Sequence, residues 1–489
     1  VPCQTPRGTH PGGRSTTVSR IMARRSEGFS AEVLRRELTA LVGTALPSNG
    51  QLWIAYSGGL DSSVLLHAAA TLFVNRSQAQ PQTRSGNRGH DQSACVLRAI
   101  HIDHGLHPQA AQWASHCRTQ CDRLGVPLTE RRLRLRWQAG ESLEAVARSA
   151  RYAAFVELLE PDDVLLTAQH RDDQAETLLL ALLRGGGVHG LASMPARARL
   201  GAGLLVRPLL GFGRADLEVY AQAMGLSWVE DPTNSDLGFD RNLLRQQILP
   251  LLRPRWPAFD VTLARSAAHC AEAASLLDGL ADELLALVPG GRPCTLSIRG
   301  LIKLSEARRR LVLRRWLVRE GFQVPDRDRL RRIIEELMPA APDRAPLVVW
   351  RGCEVRRYRD ELYALSPLPP VPDQLITVER NRPLRLPPPL GRLCLPDGFE
   401  TQAALSVCFR RPGLRCQTGQ GAGARPSRSL KQLYQQAGVP SWIRPYVPLV
   451  LIEGELIAVA GLSACGGRLL AGVRWEGHPW ERFGLLSGR

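Results

Sequence analysis

The tightest constraint on this chain lies between residues 52 and 70, where three short signals follow one another. Leu52-Trp53-Ile54-Ala55-Tyr56 is an apolar run of strand length, Ser57-Gly58-Gly59-Leu60-Asp61-Ser62 comes next, and residues 63–70 read as a helix start. Strand, glycine turn and helix together aim free backbone N–H groups and the positive end of a helix dipole at an anion. Gly58 and Gly59 carry no Cβ, so the backbone can turn sharply and lie against a phosphate. Ser57 and Ser62 offer hydroxyl donors, and Asp61 is placed either to cap the helix or to help hold a metal ion. A Walker A loop is excluded, because no lysine follows the glycines to reach the terminal phosphates.

The same alternation continues downstream. Strands are expected at 96–102, 128–135 and 164–168, separated by helices at 109–124 and 142–159. This spacing predicts an α/β domain with a doubly wound parallel sheet, whose ligands bind at the carboxyl ends of its strands. Ser57–Ser62, Asp103-His104-Gly105 and 169–173 therefore share one crevice. His170-Arg171-Asp172-Asp173-Gln174-Ala175-Glu176-Thr177 opens a further helix there, with Asp173 and Glu176 three apart on one face. Two readings of that pair stand side by side: a site for a cationic substrate or magnesium, or an acid-rich first turn of the kind any helix dipole favours. Beyond it we expect a helical, strongly basic domain over 256–368 and, past a proline-rich boundary, a small α+β domain over 369–489. The catalytic domain is expected over 29–255. Residues 1–28 are expected to be a disordered tail, and 75–94 a low-complexity surface insertion.

A formal net charge of +17 points to a polyanionic partner such as nucleic acid. Of 63 basic residues only Lys303 and Lys431 are lysines. That skew has a blander source in genome composition, which explains arginine over lysine but not bases over acids. The eleven cysteines are scattered without a zinc-type quartet, which favours a reducing, cytoplasmic setting. Cys117 and Cys121, beside His116, read as buried helix residues before metal ligands. No apolar run reaches the ~18 residues of a membrane span, so no membrane partner is expected.

The loop at Ser57 resembles the Ser-Gly-Gly-x-Asp-Ser loop of PP-loop ATP pyrophosphatases. Together with His170–Thr177, Glu144-Ala145-Val146-Ala147-Arg148, Arg151-Tyr152, Glu230-Asp231-Pro232-Thr233-Asn234 and Arg241-Asn242, it resembles the bacterial tRNA(Ile)-lysidine synthetase family. Lys431-Gln432-Leu433, Gly438-Val439-Pro440 and Trp442-Ile443-Arg444 look like the end domain of its longer members. The resemblance implies that ATP adenylates O2 of cytidine 34, the wobble base of a CAU-anticodon tRNA(Ile). An amine of free lysine then attacks C2, leaving lysidine, AMP and pyrophosphate. It implies ATP and Mg2+ as co-substrate and cofactor, with ATP held by Ser57, Gly58, Gly59, Leu60, Asp61, Ser62 and His104. Catalysis falls to Asp61, Asp172 and Arg148, and a lysine ammonium to Asp173 and Glu176. Magnesium is then held by Asp61, with Asp172 or ATP alone as alternatives. tRNA phosphates fall to Arg241, Arg309, Arg314, Arg410, Arg411, Arg428 and Lys431. A homodimer is compatible with all of this. The nearest alternative is another PP-loop tRNA-modifying enzyme, such as a thiolase, although no paired cysteines for sulfur transfer stand out. A non-catalytic RNA-binding protein on a decayed scaffold is disfavoured by the intact loop.

Overall fold

The computed structural model describes residues 28–43, 50–78, 96–137, 142–341, 344–377, 383–396, 403–411, 413–416, 428–465 and 473–486. Nearly all of the tail and most of the low-complexity insertion lie outside the described residues. The chain forms two units, one ending at Leu276 and the other running from Leu277 to Arg489.

In the first unit the expected strands form as β1 (Gln51–Ala55), β2 (Val96–Asp103), β3 (Leu128–Arg132) and β4 (Val164–Leu166). They join a hairpin, β5 (Arg197–Leu200) and β6 (Gly203–Val206), in a six-stranded sheet of order β3-β2-β1-β4-β6-β5. All neighbours are parallel except β5 and β6, which are antiparallel at one edge. A strand buried on both faces needs apolar residues at successive positions, and β1 supplies them from Leu52 to Ala55. Leu52 and Ile54 enter the core on one face, while Trp53 packs on the other with Ile100, Phe155, Leu165 and Leu205. The first face is covered by α1 (Ala31–Val42), α2 (Leu60–Gln78) and α3 (Ala110–Leu124). α4 (Leu143–Leu158) covers the second through Phe155. The doubly wound layout is as the sequence implies.

The amino ends of the central strands are tied by a residue the sequence reading passed over. Asp163, buried at the start of β4, accepts from the Gln51 N–H at 2.7 Å, the Trp53 indole N–H at 3.2 Å and the Glu160 N–H at 3.1 Å. Three donors on one carboxylate offset the cost of burying it.

The second unit holds two hydrophobic clusters. One gathers Leu284, Leu313, Trp316, Leu317 and Ile333 against an antiparallel sheet, Leu296–Ser297, Glu361–Leu365, Cys353–Tyr358 and Leu347–Trp350 in spatial order. The region read as helical thus carries a four-stranded sheet as well. Val348 and Trp350 face its core while Leu347 and Val349 face out, although all four are apolar. The other cluster, built on Trp475, Trp480, Phe483 and Val450, belongs to the α+β end, with antiparallel sheets and a helix, Leu430–Gln436, capped by Ser429 and Gln432. Cys416 and Cys465 form a disulfide there. Reading the cysteines as uniformly scattered thiols missed this pair, which 49 residues of sequence separate. Among the described residues no helix is long and apolar enough to cross a membrane.

Candidate active site

At the carboxyl end of β1 the chain turns through Ser57–Gly59 into α2. Gly58 has φ +86°, the left-handed region, and a Cβ placed on it would lie 2.9 Å from the Cys117 Sγ. Both conditions require glycine. The turn is fixed from within: the Ser57 and Ser62 hydroxyls lie 3.0 Å apart, Ser62 Oγ donates to the Gly59 carbonyl at 3.0 Å, and so does the Ser63 N–H. It is fixed from outside by the Val229 N–H, which donates to the Gly58 carbonyl at 2.9 Å. The motif that follows Val229 is scaffold of the same kind. Asp231 accepts from the Thr233 N–H at 2.8 Å, and Asn242 Nδ2 donates to the Thr233 and Asp236 carbonyls.

The helix opened by the second motif, α5 (Arg171–Leu183), brings its acids to this loop around a buried imidazole. His170 is 1% exposed, with Nε2 3.5 Å from Asp61 and from Asp173 and Nδ1 3.5 Å from Asp172. These contacts are long for hydrogen bonds, so charge holds the ring more than directed bonding does. Burial alone would lower the His170 pKa, but the three carboxylates raise it to about 10, and the ring is an imidazolium at neutral pH. Reciprocally, burial disfavours ionised Asp61, yet His170, Arg214 and Arg245 hold its carboxyl below the ordinary value. Asp172 is depressed further against its burial by His170 and by the Arg214 backbone N–H, which donates to it at 2.9 Å. His170 was quoted in the sequence motif without a role. The signal for it was its place two residues before a pair of aspartates, just past a strand's end.

Asp173 and Glu176 do converge, and both are already met by arginines of the protein. Glu176 is 0% exposed, and Arg245 grips it through Nε at 2.7 Å and Nη2 at 3.0 Å, with Arg241 Nε at 3.3 Å. Arg245 Nη2 also reaches Asp173 at 3.1 Å. The pair is neutralised from inside the protein, and Glu176 offers no open face to a lysine ammonium. Arg241, expected on tRNA phosphates, is likewise committed: besides Glu176 it donates to the Thr177 hydroxyl at 2.9 Å. Across the crevice, His104 Nδ1 is buried without a hydrogen-bond partner, and burial and the charge of Arg151 lower its pKa. Arg148 lies over the Tyr152 ring at 5.1 Å.

The basic residues of the second unit divide in the same way. Arg309 caps a helix end, donating to the carbonyls of Leu301, Ile302 and Leu304, so its guanidinium is not free for phosphate. Arg315 is paired with Asp282 at 2.6 Å and Asp278 at 3.3 Å, acids remote in sequence. Arg428 is half-buried and donates to Gln436 Oε1 at 2.8 Å. Arg314, Arg410, Arg411 and Lys431 are exposed.

Residues 30–252 match the model of a PP-loop domain, 296–363 that of the TilS substrate binding domain, and 405–473 that of the TilS substrate C-terminal domain. The chain is 43% identical to a tRNA(Ile)-lysidine synthase of Coxiella burnetii over 88% of this chain and 93% of that one. It is 43% identical to the synthase of Methylococcus capsulatus over 83% and 90%, and 40% identical to that of Escherichia coli O157:H7 over 91% and 100%. A solved structure, the U34-tRNA thiolase NcsA from Methanococcus maripaludis, superposes at a TM-score of 0.38 and 15% identity, covering 49% of this chain and 79% of that chain.

Proposed function

The chain belongs to the tRNA(Ile)-lysidine synthase family, and on that premise we propose that it joins lysine to C2 of the wobble cytidine of a CAU-anticodon tRNA(Ile) at the expense of ATP. The observation that carries the reading is the juxtaposition of the glycine loop with the Asp61–His170–Asp172–Asp173 cluster. The loop's N–H groups and hydroxyls bind the pyrophosphate end of ATP. Adenylating O2 of the base turns a poor leaving oxygen into AMP, and a lysine amine displaces it at C2. Asp61 takes part from the loop. His170 draws the three aspartates together by charge and favours the ionised forms of Asp61 and Asp172.

Magnesium fits the site in a restricted form. Asp61 Oδ1 is buried without a hydrogen-bond partner, whereas among the described residues no group of three or more His, Cys, Asp or Glu could hold a metal ion. Mg2+ commonly rests on one or two carboxylates together with substrate phosphates and water, and Asp61 supplies one. Bound there, the ion offsets the charge of the phosphate oxygens. For lysine, Asp173 is the carboxylate with some exposure, and its partner Arg245 must share it with the incoming ammonium. The test is mass spectrometry of nucleoside 34 after incubation with tRNA, ATP and lysine. Absence of a lysine adduct would remove the reading.

A further inference from the structure

We propose that the outer edge of the catalytic sheet, from Arg131 to Trp137, is the strip that receives the anticodon arm of the RNA; this rests on the function proposed above. β3 pairs only with β2 and is the edge strand of the sheet. Its extended course continues beyond Arg132, with the Leu133 N–H donating to the Asp103 carbonyl at 2.7 Å. Over Arg131-Arg132-Leu133-Arg134-Leu135-Arg136-Trp137 the two leucines are half-buried, and the four arginines and the tryptophan are exposed. Trp137 leaves 51% of its surface open, unusual for so large an aromatic ring.

Charge identifies the occupant. Among the described residues only Arg132 of these four has a carboxylate within ion-pair reach, Asp103 at 3.4 Å, and Arg132 is itself 79% exposed. Other arginines of the chain are spent internally, as Arg245, Arg309 and Arg315 are, although Arg314, Arg410 and Arg411 are exposed as well. On an extended strand Arg132, Arg134 and Arg136 share one face, a row of guanidinium groups that matches a phosphate chain. The open indole of Trp137, at the end of the strip on the alternate face, can take an unstacked base. From Arg132 to Arg136 an extended backbone spans about 13 Å, enough to follow a strand rather than hold one ion. The strip starts at Asp103, where β2 delivers His104 to the crevice, so an RNA lying on it points its loop at the reacting loop. An edge strand can also recruit a second copy of the chain, but like pairing would set these arginines against each other.

The test uses the full chain and an RNA hairpin comprising the anticodon stem and loop. Arg134→Glu and Arg136→Glu should each weaken hairpin binding at least fivefold, with unchanged melting temperature. Arg199→Glu, an exposed arginine on the opposite edge strand β5, should weaken it less than twofold. Arg134→Ala and Arg136→Ala should each flatten the slope of log K against log salt by about 0.7, whereas Trp137→Ala should weaken binding with the slope unchanged, since stacking carries no charge. Equal losses at Arg199 and Arg134, or unchanged slopes, would overturn the strip. So would a wild-type chain that binds whole tRNA but not the hairpin. Failure to bind either RNA would instead overturn the functional reading beneath it.

Discussion

Asp61 and Glu176 are both carboxylates near the same loop, yet they do opposite things. Asp61 keeps one oxygen without a partner, so its charge is available to a ligand. We expect Asp61→Asn to lower ATP–pyrophosphate exchange by about 10²–10³-fold, the scale of one pre-organised electrostatic contact, with little change in unfolding midpoint. Glu176 is sealed behind Arg245, so truncating Arg245 to Ala strands a buried charge. That substitution should cost about 3–5 kcal/mol in urea unfolding, and Arg245→Ala/Glu176→Gln should recover part of it. Unchanged stability in Arg245→Ala would mean that Glu176 is not held by this pair. Sequence spacing placed Glu176 on one helical face with Asp173, where Arg245 reaches both. It was silent on the arginines that meet them, because Arg245 lies 69 residues away and pairs only through the fold.

Elements were more legible than their partners. Every strand and helix expected in the parallel sheet formed, since buried strands advertise themselves as unbroken apolar runs. The β5–β6 hairpin and the sheet at 347–365 were passed over, because strands of four to six residues among arginines show little periodicity. Basic helices were the least legible: Arg309 and Arg314 look alike in sequence, and only packing separates a cap from an exposed cation. Arg309→Ala should therefore cost about 1–2 kcal/mol of stability and leave the salt dependence of tRNA binding unmoved. Arg314→Ala should do the reverse, flattening that slope by about 0.7 with stability intact. Matched effects in the two variants would erase the distinction.

At the scale of the whole molecule the two units answer pH in opposite senses. His170 has its pKa raised to about 10 in the first unit, so its contribution is complete below the unfolded value near 6.5 and is lost as pH rises through 10. His478, 3% exposed and stacked 3.9 Å from Trp475, has neither ring nitrogen hydrogen-bonded, and burial lowers its pKa to about 4. Unfolding lets His478 bind a proton below pH 6.5, so the second unit should lose about 3 kcal/mol as pH falls from 6.5 to 4. Urea unfolding followed across that range should show the loss in the wild type and not in His478→Phe. A pH-independent wild type would contradict the burial of a neutral imidazole.

The tie at Asp163 divides the catalytic sheet into an end that holds and an end that reacts. Damage at the two ends should therefore be inherited differently. A chain crippled at Asp163 is short of folded molecules, each of them competent, and a stabilising substitution elsewhere in the first unit can rescue it. A chain crippled at Asp61 is fully folded and inert, and no gain in stability restores it. Suppressor screens started from the two alleles should return second-site revertants dispersed through the unit in the first case, and reversion at the codon itself in the second.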